Sequence, residues 1–402
     1  MAVQQPKTAD VVIIGGGIVG VSTALQLAKR GIRDIVVVER EQLGAGATGK
    51  SGALIRCHYA NVPEARLAHE SLRVFRSWDD EVGAGSPDFD PVGFLRLVAP
   101  RDEPQLRANV AAQQAIGIET SVVTADDLRA IEPLIRTDDL TVAAFEPGSG
   151  VADPNGALYG FAEAARELGV TILTETPAME IVTRGDRVTG VVTSAGPIST
   201  GTAVLAAGAW SDQLLRPLGL DFGLVPVRTQ VVIFRWPAAA GHERRHRVIV
   251  DSARGSWFRP EAGAATLVGV GSAARPTNPD EIDETIDAAA IARARAAMAH
   301  RFPSFAAATM RGGWAGTYMR SPDGHPIIDQ APTVPGLWVM TGDSGTSFKT
   351  APAIGICLAE WITDGAPKLV DLAPFRSTRF ADGQLWVDDN PYTDPADLTV
   401  SH

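Results

Sequence analysis

The sequence predicts an α/β fold, a Rossmann-like dinucleotide-binding domain joined to a second, α+β domain built on a mainly antiparallel sheet. Three observations carry that prediction. The run Val11–Ile14 is wholly apolar and opens directly onto Gly15, Gly17 and Gly20, a G-x-G-x-x-G spacing. A second glycine-rich loop, Gly342–Ser347, lies between another apolar run and an apolar helical stretch near the far end of the chain. Between these blocks, Pro226 to Trp314 reads mainly as strands.

Val11–Ile14 has the composition of a strand buried on both faces of a parallel sheet. Ile18, Val21, Leu25 and Ala28 then recur at helical spacing, and Gly31 ends the helix. Ile35–Val38 is a second apolar strand, closed by Glu39 and Arg40. Gly15 allows the tight turn, Gly17 lets a pyrophosphate approach the backbone, and Gly20 lets helix and strand pack closely. Ile18 and Val19 begin the helix, whose N-terminus presents unpaired N–H groups and a positive dipole end to phosphates. Glu39 is placed to accept hydrogen bonds from the ribose hydroxyls of an adenosine. Val11 to Ala28 is uncharged over the length of a membrane span. Three consecutive glycines, followed by Ser22, Thr23 and Gln26, argue against insertion, and Lys7 alone is too little positive charge for a signal peptide.

The loop Gly44–Gly52 follows, rich in small residues, and leads straight into Leu54, Ile55 and Arg56, as backbone passing close to a ligand would. Pro63 to Trp78 reads as a helix. Phe94–Val98 is a strand, followed by helices over Glu103–Ile116 and Ala125–Ile131. Asp153-Pro154 starts an amphipathic helix running to Leu168. Val170–Leu173 is a strand, and Met179–Val182, Arg187–Val192 and Gly196–Ser199 alternate as a meander. Thr202–Ser211 is a buried strand running into Gly208. On that segment alone, a ligand-binding sheet edge and a plain core strand with a glycine turn fit equally well. Thr229–Phe234, Arg247–Val250, Trp257–Phe258 and Thr266–Val270 are strands, and Asp280–His300 is a polar, Ala-rich helix. Leu337–Met340, the loop Gly342–Ser347 and the helix Ala353–Ile362 repeat the geometry that receives a ligand's polar end at a helix N-terminus. These elements divide the chain into a discontinuous dinucleotide-binding domain (1–86, 145–218, 315–387), a substrate domain (87–144, 219–314) and a loose Pro- and Asp-rich tail (388–402).

Composition narrows the function classes. The 402 residues are 45% apolar and 21% charged, as in an ordinary globular protein of two domains or one large one. A net charge of −11 opposes binding to nucleic acid or an anionic membrane. Two cysteines, Cys57 and Cys357, make neither a disulfide framework nor a cysteine-based zinc site, and fit a reducing, cytoplasmic setting. The seven histidines show no H-x-x-x-H spacing on a helix, so no metal is expected.

With both glycine-rich blocks in view, the chain resembles flavoproteins of the D-amino-acid oxidase superfamily, in the branch with sarcosine and glycine oxidases, over nearly its whole length. The most specific parts are Gly15–Glu39, Gly46–Gly52, Ala206–Ser211 and Pro322 to Gly355. Ile55–Tyr59 is similar to the beta subunits of multi-subunit sarcosine oxidases and related amino-acid dehydrogenases. The resemblance implies a glutathione-reductase-type domain binding FAD. It implies cofactor contacts at Gly15, Gly17, Ile18, Val19, Gly20, Glu39 and Arg40, and at Gly46, Ala47, Thr48, Ser51 and Gly52. It extends them to Met179, Ala207, Gly208 and Trp210, and to Gly342, Asp343, Gly345, Thr346, Ser347, Phe348 and Lys349. In the resembled sarcosine oxidases an Arg and a Lys at the positions of Arg56 and Lys349 bind the substrate carboxylate, a task suited to a bidentate guanidinium and a point charge. His58 and Tyr59 are candidates to line the pocket, although each taken alone reads more readily as a structural residue. Trp257 and Arg259 are weaker candidates.

Two departures from the family pattern matter. Monomeric sarcosine oxidases carry a flavin-linking cysteine just before the Tyr of the later block. Gly316 and Thr317 are the nearest residues here, so the FAD is expected to be non-covalent. Those oxidases also keep a lysine that helps oxygen react with reduced flavin, and Thr266–Val270 has none. The expected activity is therefore FAD-dependent oxidation of the C–N bond of an amino acid, preferably secondary or N-methylated, with oxygen or another electron acceptor. The rival is a non-catalytic flavin-binding or electron-transfer subunit of a larger assembly. An NAD-dependent dehydrogenase would not need the Gly342–Lys349 block. A homo-oligomer and a partner subunit both stay open.

Overall fold

The computed structural model describes residues 5–237, 245–271 and 275–393. Val11–Ile14 (β1) and Ile35–Val38 (β2) are buried along their whole length. Strands with no polar face need cover on both sides. They lie inside a six-stranded sheet ordered Ile327–Gln330, Leu337–Thr341, Ala203–Leu205, β1, β2, Thr171–Leu173. Every pair in it is parallel except the Ile327–Gln330 edge.

The helix Ile18–Lys29 (α1) covers one face, packed between the helices Pro154–Glu167 and Ala351–Asp364. Close approach to the latter requires Gly355, where a Cβ would lie 2.4 Å from Ser22 Oγ and 2.9 Å from the Ser22 carbonyl carbon. On the opposite face, Val12, Ile14 and Leu205 share a core with Ile181, Val188, Val191 and Ile198 of a three-stranded meander. That meander, Ala178–Arg184, Arg187–Thr193 and Gly196–Ser199, forms where the alternating pattern predicts it.

The second sheet has nine strands and is antiparallel except where Val248–Asp251 runs parallel to Phe94–Leu97. Its long pair, Val225–Arg235 with Thr309–Arg320, leads back towards the six-stranded sheet. Leu95, Val232, Phe234, Ile249, Phe258 and Val268 pack with Ala294 and Met298 of the helix Ala288–Arg301.

Three expectations need correction. The helix expected over Asp280–His300 begins only at Ala288. Its acidic lead-in is held irregular by carboxylates that accept side-chain and backbone hydrogen bonds, among them Asp283 from Thr285 N at 2.9 Å. The helix expected over Pro63–Trp78 ends at Arg76, and Ser77 separates it from a short turn, Trp78–Glu81. The tail from Asp388 is not loose as far as Thr393. Asn61 Nδ2 donates to Asp388 Oδ1 at 2.7 Å, Asn109 Nδ2 to the Asn390 carbonyl at 3.0 Å, and the Tyr392 hydroxyl meets His58 Nε2 at 2.6 Å. Its polar composition serves buried polar groups of the main body, which local sequence does not reveal. Residues 394–402 of the predicted tail lie outside the described residues. Among the described residues no helix is long and apolar enough to cross a membrane.

Replacing Gly355 with valine should lower the stability to urea unfolding by about 2–3 kcal/mol, because backbone as well as side chain stands in the way. An unchanged unfolding midpoint would show that the helix pair can part without cost.

Candidate active site

A cavity of about 550 Å³ runs across the C-terminal ends of β1, β2 and Ala203–Leu205 and reaches strands of the second sheet. The local reasons are in the backbone. Gly15 has φ +115°, and a Cβ there would lie 2.3 Å from the Ala206 carbonyl oxygen. Gly20 has no room either, since its Cβ would stand 2.0 Å from the Gly15 oxygen. With both side chains absent, α1 starts at the cavity wall, and its N-cap residue, Gly17, offers no capping side chain. Thr48 Oγ1 accepts from Ile18 N at 3.1 Å, so the Gly44–Gly52 loop is fastened to the first turn of the helix. Glu39 accepts from Gly16 N at 2.7 Å and Glu41 N at 2.9 Å, which fixes its carboxylate at the end of β2 while leaving lone pairs for a ligand.

Of the cofactor contacts expected from sequence, all line this cavity except Gly20, Gly342, Thr346 and Lys349. Gly20 serves by packing. Gly342 sits at φ +66°, and Thr346 Oγ1 donates to the Asp343 carbonyl at 2.8 Å, so both shape the loop from behind. The donor set fits a dinucleotide: an open helix N-terminus beside backbone glycines, an acid fixed at the next strand end, and a small-residue loop on the far wall. These are the residues that would hold FAD.

Arg56, His58, Tyr59 and Lys349 are brought together, but they do not line the cavity. Arg56 is 2% exposed and Lys349 6%. Both stand over the Tyr59 ring, the Arg56 guanidinium carbon 4.9 Å and Lys349 Nζ 5.2 Å from its centroid. Arg56 Nη1 donates to the His58 carbonyl, and Lys349 Nζ to the Thr346 carbonyl at 3.0 Å. Burial, reinforced by Arg56, holds the Lys349 pKa well below the usual lysine range. Burial, then Arg96 and Arg56, does the same to His58, favouring neutral imidazole. Burial raises the Tyr59 and Glu146 pKa values. Glu146 accepts from Cys57 N at 2.9 Å, tying this segment to the second sheet.

Trp257 lines the cavity against Gly52 and Gly269. Arg259 does not line it, but its Nη1 donates to the Gly52 carbonyl at 3.0 Å. Lys50, Gln213, Arg228 and Asp280 line the cavity too, and sequence reasoning did not single them out. Lys50 sits inside the small-residue loop and could have been read there. Nothing local marks the other three.

The FAD dependent oxidoreductase (DAO) family matches residues 10–361. The chain is 26% identical over 385 residues to mitochondrial dimethylglycine dehydrogenase of Rattus norvegicus, covering 92% of this chain and 45% of that protein. It is 28% identical over 395 residues to sarcosine oxidase subunit beta of Arthrobacter sp, covering 94% and 93%. It thus spans about half the length of the dimethylglycine dehydrogenase it matches. Among solved structures, L-proline dehydrogenase from P. horikoshii superposes with a TM-score of 0.88 at 27% identity, over 95% of this chain and 100% of that one.

Two expectations follow. Glu39→Ala should lower FAD retention after gel filtration, read from the flavin-to-protein absorbance ratio; full occupancy would remove Glu39 from the ribose site. Lys349 has a folded pKa below its unfolded one, so between the two values the unfolded chain binds the extra proton and stability rises with pH. The cost of burying the ammonium is therefore largest at low pH and gone above the ordinary lysine value of about 10.4. Lys349→Met should be more stable than the wild type near neutrality in urea titrations, the gap closing as pH rises; a gap independent of pH would mean packing alone.

Proposed function

The chain belongs to the FAD dependent oxidoreductase (DAO) family, and from that premise we propose that it oxidises the C–N bond of an amino acid, preferably a secondary or N-methylated one. The observation that carries this reading is the pair of buried basic side chains, Arg56 and Lys349, sharing one aromatic ring beside the cavity wall. Like charges held together in a poorly solvated place are relieved by an anion. A carboxylate suits them, gripped by the planar guanidinium and the ammonium together. Lys349 directly follows Phe348, which lines the cavity, so a substrate anchored there keeps its amine end towards the cofactor space.

Bound FAD supplies the hydride acceptor. The chain's own task is to orient the substrate and admit its amine neutral, so that the nitrogen lone pair can assist loss of hydride from the adjacent carbon. Neutral His58 adds no further positive charge beside Arg56, and Tyr59 fixes the spacing of the two cations.

Trp257 favours an electron acceptor other than oxygen. Its indole lies where any side chain on Gly269 would project, with Nε1 2.1 Å from an added Cβ. That stretch of wall holds apolar and aromatic groups in place of a cation that would stabilise developing superoxide. Non-covalent attachment is supported by the same wall. Gly316 and Thr317 line the cavity, while Cys57 and Cys357 are buried away from it.

The test is an anaerobic titration with sarcosine, other N-methyl amino acids, proline, glycine and D-amino acids, followed by air. Secondary amino acids should bleach the flavin, and air should restore its colour only slowly. A yellow protein that none of these amines bleaches until a partner subunit is added would replace this reading with the electron-transfer one. Arg56→Ala and Lys349→Met should each raise the substrate concentration needed for half-reduction, by at least about tenfold for a lost charged hydrogen bond, with flavin content intact. Half-reduction at wild-type concentrations in both variants would sink the carboxylate clamp. Acid denaturation should release all flavin into the supernatant; flavin remaining on the pelleted chain would show a covalent link.

A further inference from the structure

Among the described residues, three basic side chains line the cofactor cavity: Arg40, Lys50 and Arg228. Each meets an acid from one short stretch, 280–287. Arg40 Nη1 lies 2.7 Å from Asp280 Oδ1, Lys50 Nζ pairs with Glu284, and Arg228 Nη1 lies 3.4 Å from Asp287 Oδ2. The bases come from separate parts of the chain. Arg40 follows β2, Lys50 sits in the loop after it, and Arg228 is on the second sheet's strand Val225–Arg235. Asp280 is the strongest point of the seam. Besides Arg40, it accepts from Trp210 Nε1 and Gln213 Nε2, both at 2.8 Å, and the Arg40 guanidinium stacks 4.8 Å over the Trp210 ring. Asp280, Trp210 and Gln213 all line the cavity.

The stretch is tied to the second sheet by main-chain bonds as well as by these pairs, with Arg228 Nε donating to the Asp283 carbonyl at 2.8 Å and Ala315 N to the Glu284 carbonyl at 2.9 Å. It is irregular, lying between the strand Arg275–Pro276 and the helix Ala288–Arg301. Its acidic side chains remain 40% (Asp280), 55% (Glu284) and 46% (Asp287) exposed. Exposed ion pairs form and break readily, each shifting an equilibrium by only about 1.4- to fivefold. With the stretch lifted, three positive charges would face solvent at the cavity, a field that draws in an anion. With it in place, those charges are cancelled and Asp280 spans the gap between Arg40 and the Gly208–Leu215 segment.

We propose that residues 280–287 form an electrostatic lid on the cofactor cavity, which admits the anionic dinucleotide when open and retains it when paired with Arg40, Lys50 and Arg228. This goes beyond the substrate reading and rests only on FAD dependence, so a failure to oxidise any amine leaves it untouched.

The test reads FAD release from the holoenzyme by flavin fluorescence after dilution. The triple variant Asp280→Asn, Glu284→Gln, Asp287→Asn should release FAD roughly tenfold faster than the wild type, as three exposed pairs acting together allow. A charge swap guards against a mere folding defect. Glu284→Lys and Lys50→Glu should each speed release, and the double variant should slow it again, since only a direct pair gives that coupling. Release at the wild-type rate or slower in the triple variant overturns the lid. So does a double variant no slower than its faster single parent.

Discussion

At one point in the molecule three chain segments meet with no side chain between them. The Gly15 carbonyl occupies the place a Cβ on Gly20 would take, and the Ala206 carbonyl occupies the place of a Cβ on Gly15. The end of β1, the start of α1 and the end of the strand Ala203–Leu205 are therefore locked together by backbone contact. Everything at the cofactor end is registered to that point. The helix N-terminus can face the cavity only because its first turn sits this low on the sheet. The Gly44–Gly52 loop is hung from it by Thr48, and β2 is joined to it by the bond from Gly16 N to Glu39. A helix raised even slightly would lose both attachments and turn its dipole away from the ligand.

That arrangement was legible because glycine spacing is local. Strand, turn and first helical turn lie within a few residues of one another, and each constraint leaves a gap in the sequence where a side chain cannot fit. The same holds for the meander over 178–199 and for the Gly342–Ser347 loop. Arg228, Gln213 and Asp280 reach the cavity from distant parts of the chain, and their contact depends on how the two sheets meet. No periodicity encodes that. The acidic stretch before Ala288 has a composition compatible with helix, and its partners, not its propensity, keep it out of one. The start of the tail is hidden for a related reason: Asp388, Asn390 and Tyr392 carry no apolar pattern, yet they satisfy buried polar groups on the lead-in to α2 (Val62–Arg76) and on the helix Glu103–Ala115.

Depth was harder to read than identity. Arg56, His58, Tyr59 and Lys349 were picked out by type and motif, and they do converge. They are, however, packed more deeply than a cavity-lining position implies, with Arg56 and His58 nearly devoid of solvent contact. Burying two cations side by side costs stability that apolar residues of similar size would not. Lys349 shows the cost in its lowered pKa, and the neighbouring acids Glu64 and Asp343 offset only part of it. Tertiary packing imposes that depth, so a sequence motif can name the pair and still miss the energy stored in it.

Trp257 links this chemistry to packing in the second sheet. Its indole needs two glycines at once, Gly52 on the loop and Gly269 on the neighbouring strand, where added Cβ atoms would lie 2.6 Å from Cη2 and 2.1 Å from Nε1. The ring therefore cannot be kept while a long polar side chain is placed at Gly269, nor removed without leaving a void against the Gly52 backbone. Arg259, two residues further along the same strand, holds the Gly52 carbonyl and so fixes the loop that Trp257 abuts. The lack of a cation in this part of the wall is thus tied to three positions on three segments. A single substitution of Gly269 to lysine would clash with the ring, so a cation could stand there only if the tryptophan and its opposing glycine changed together.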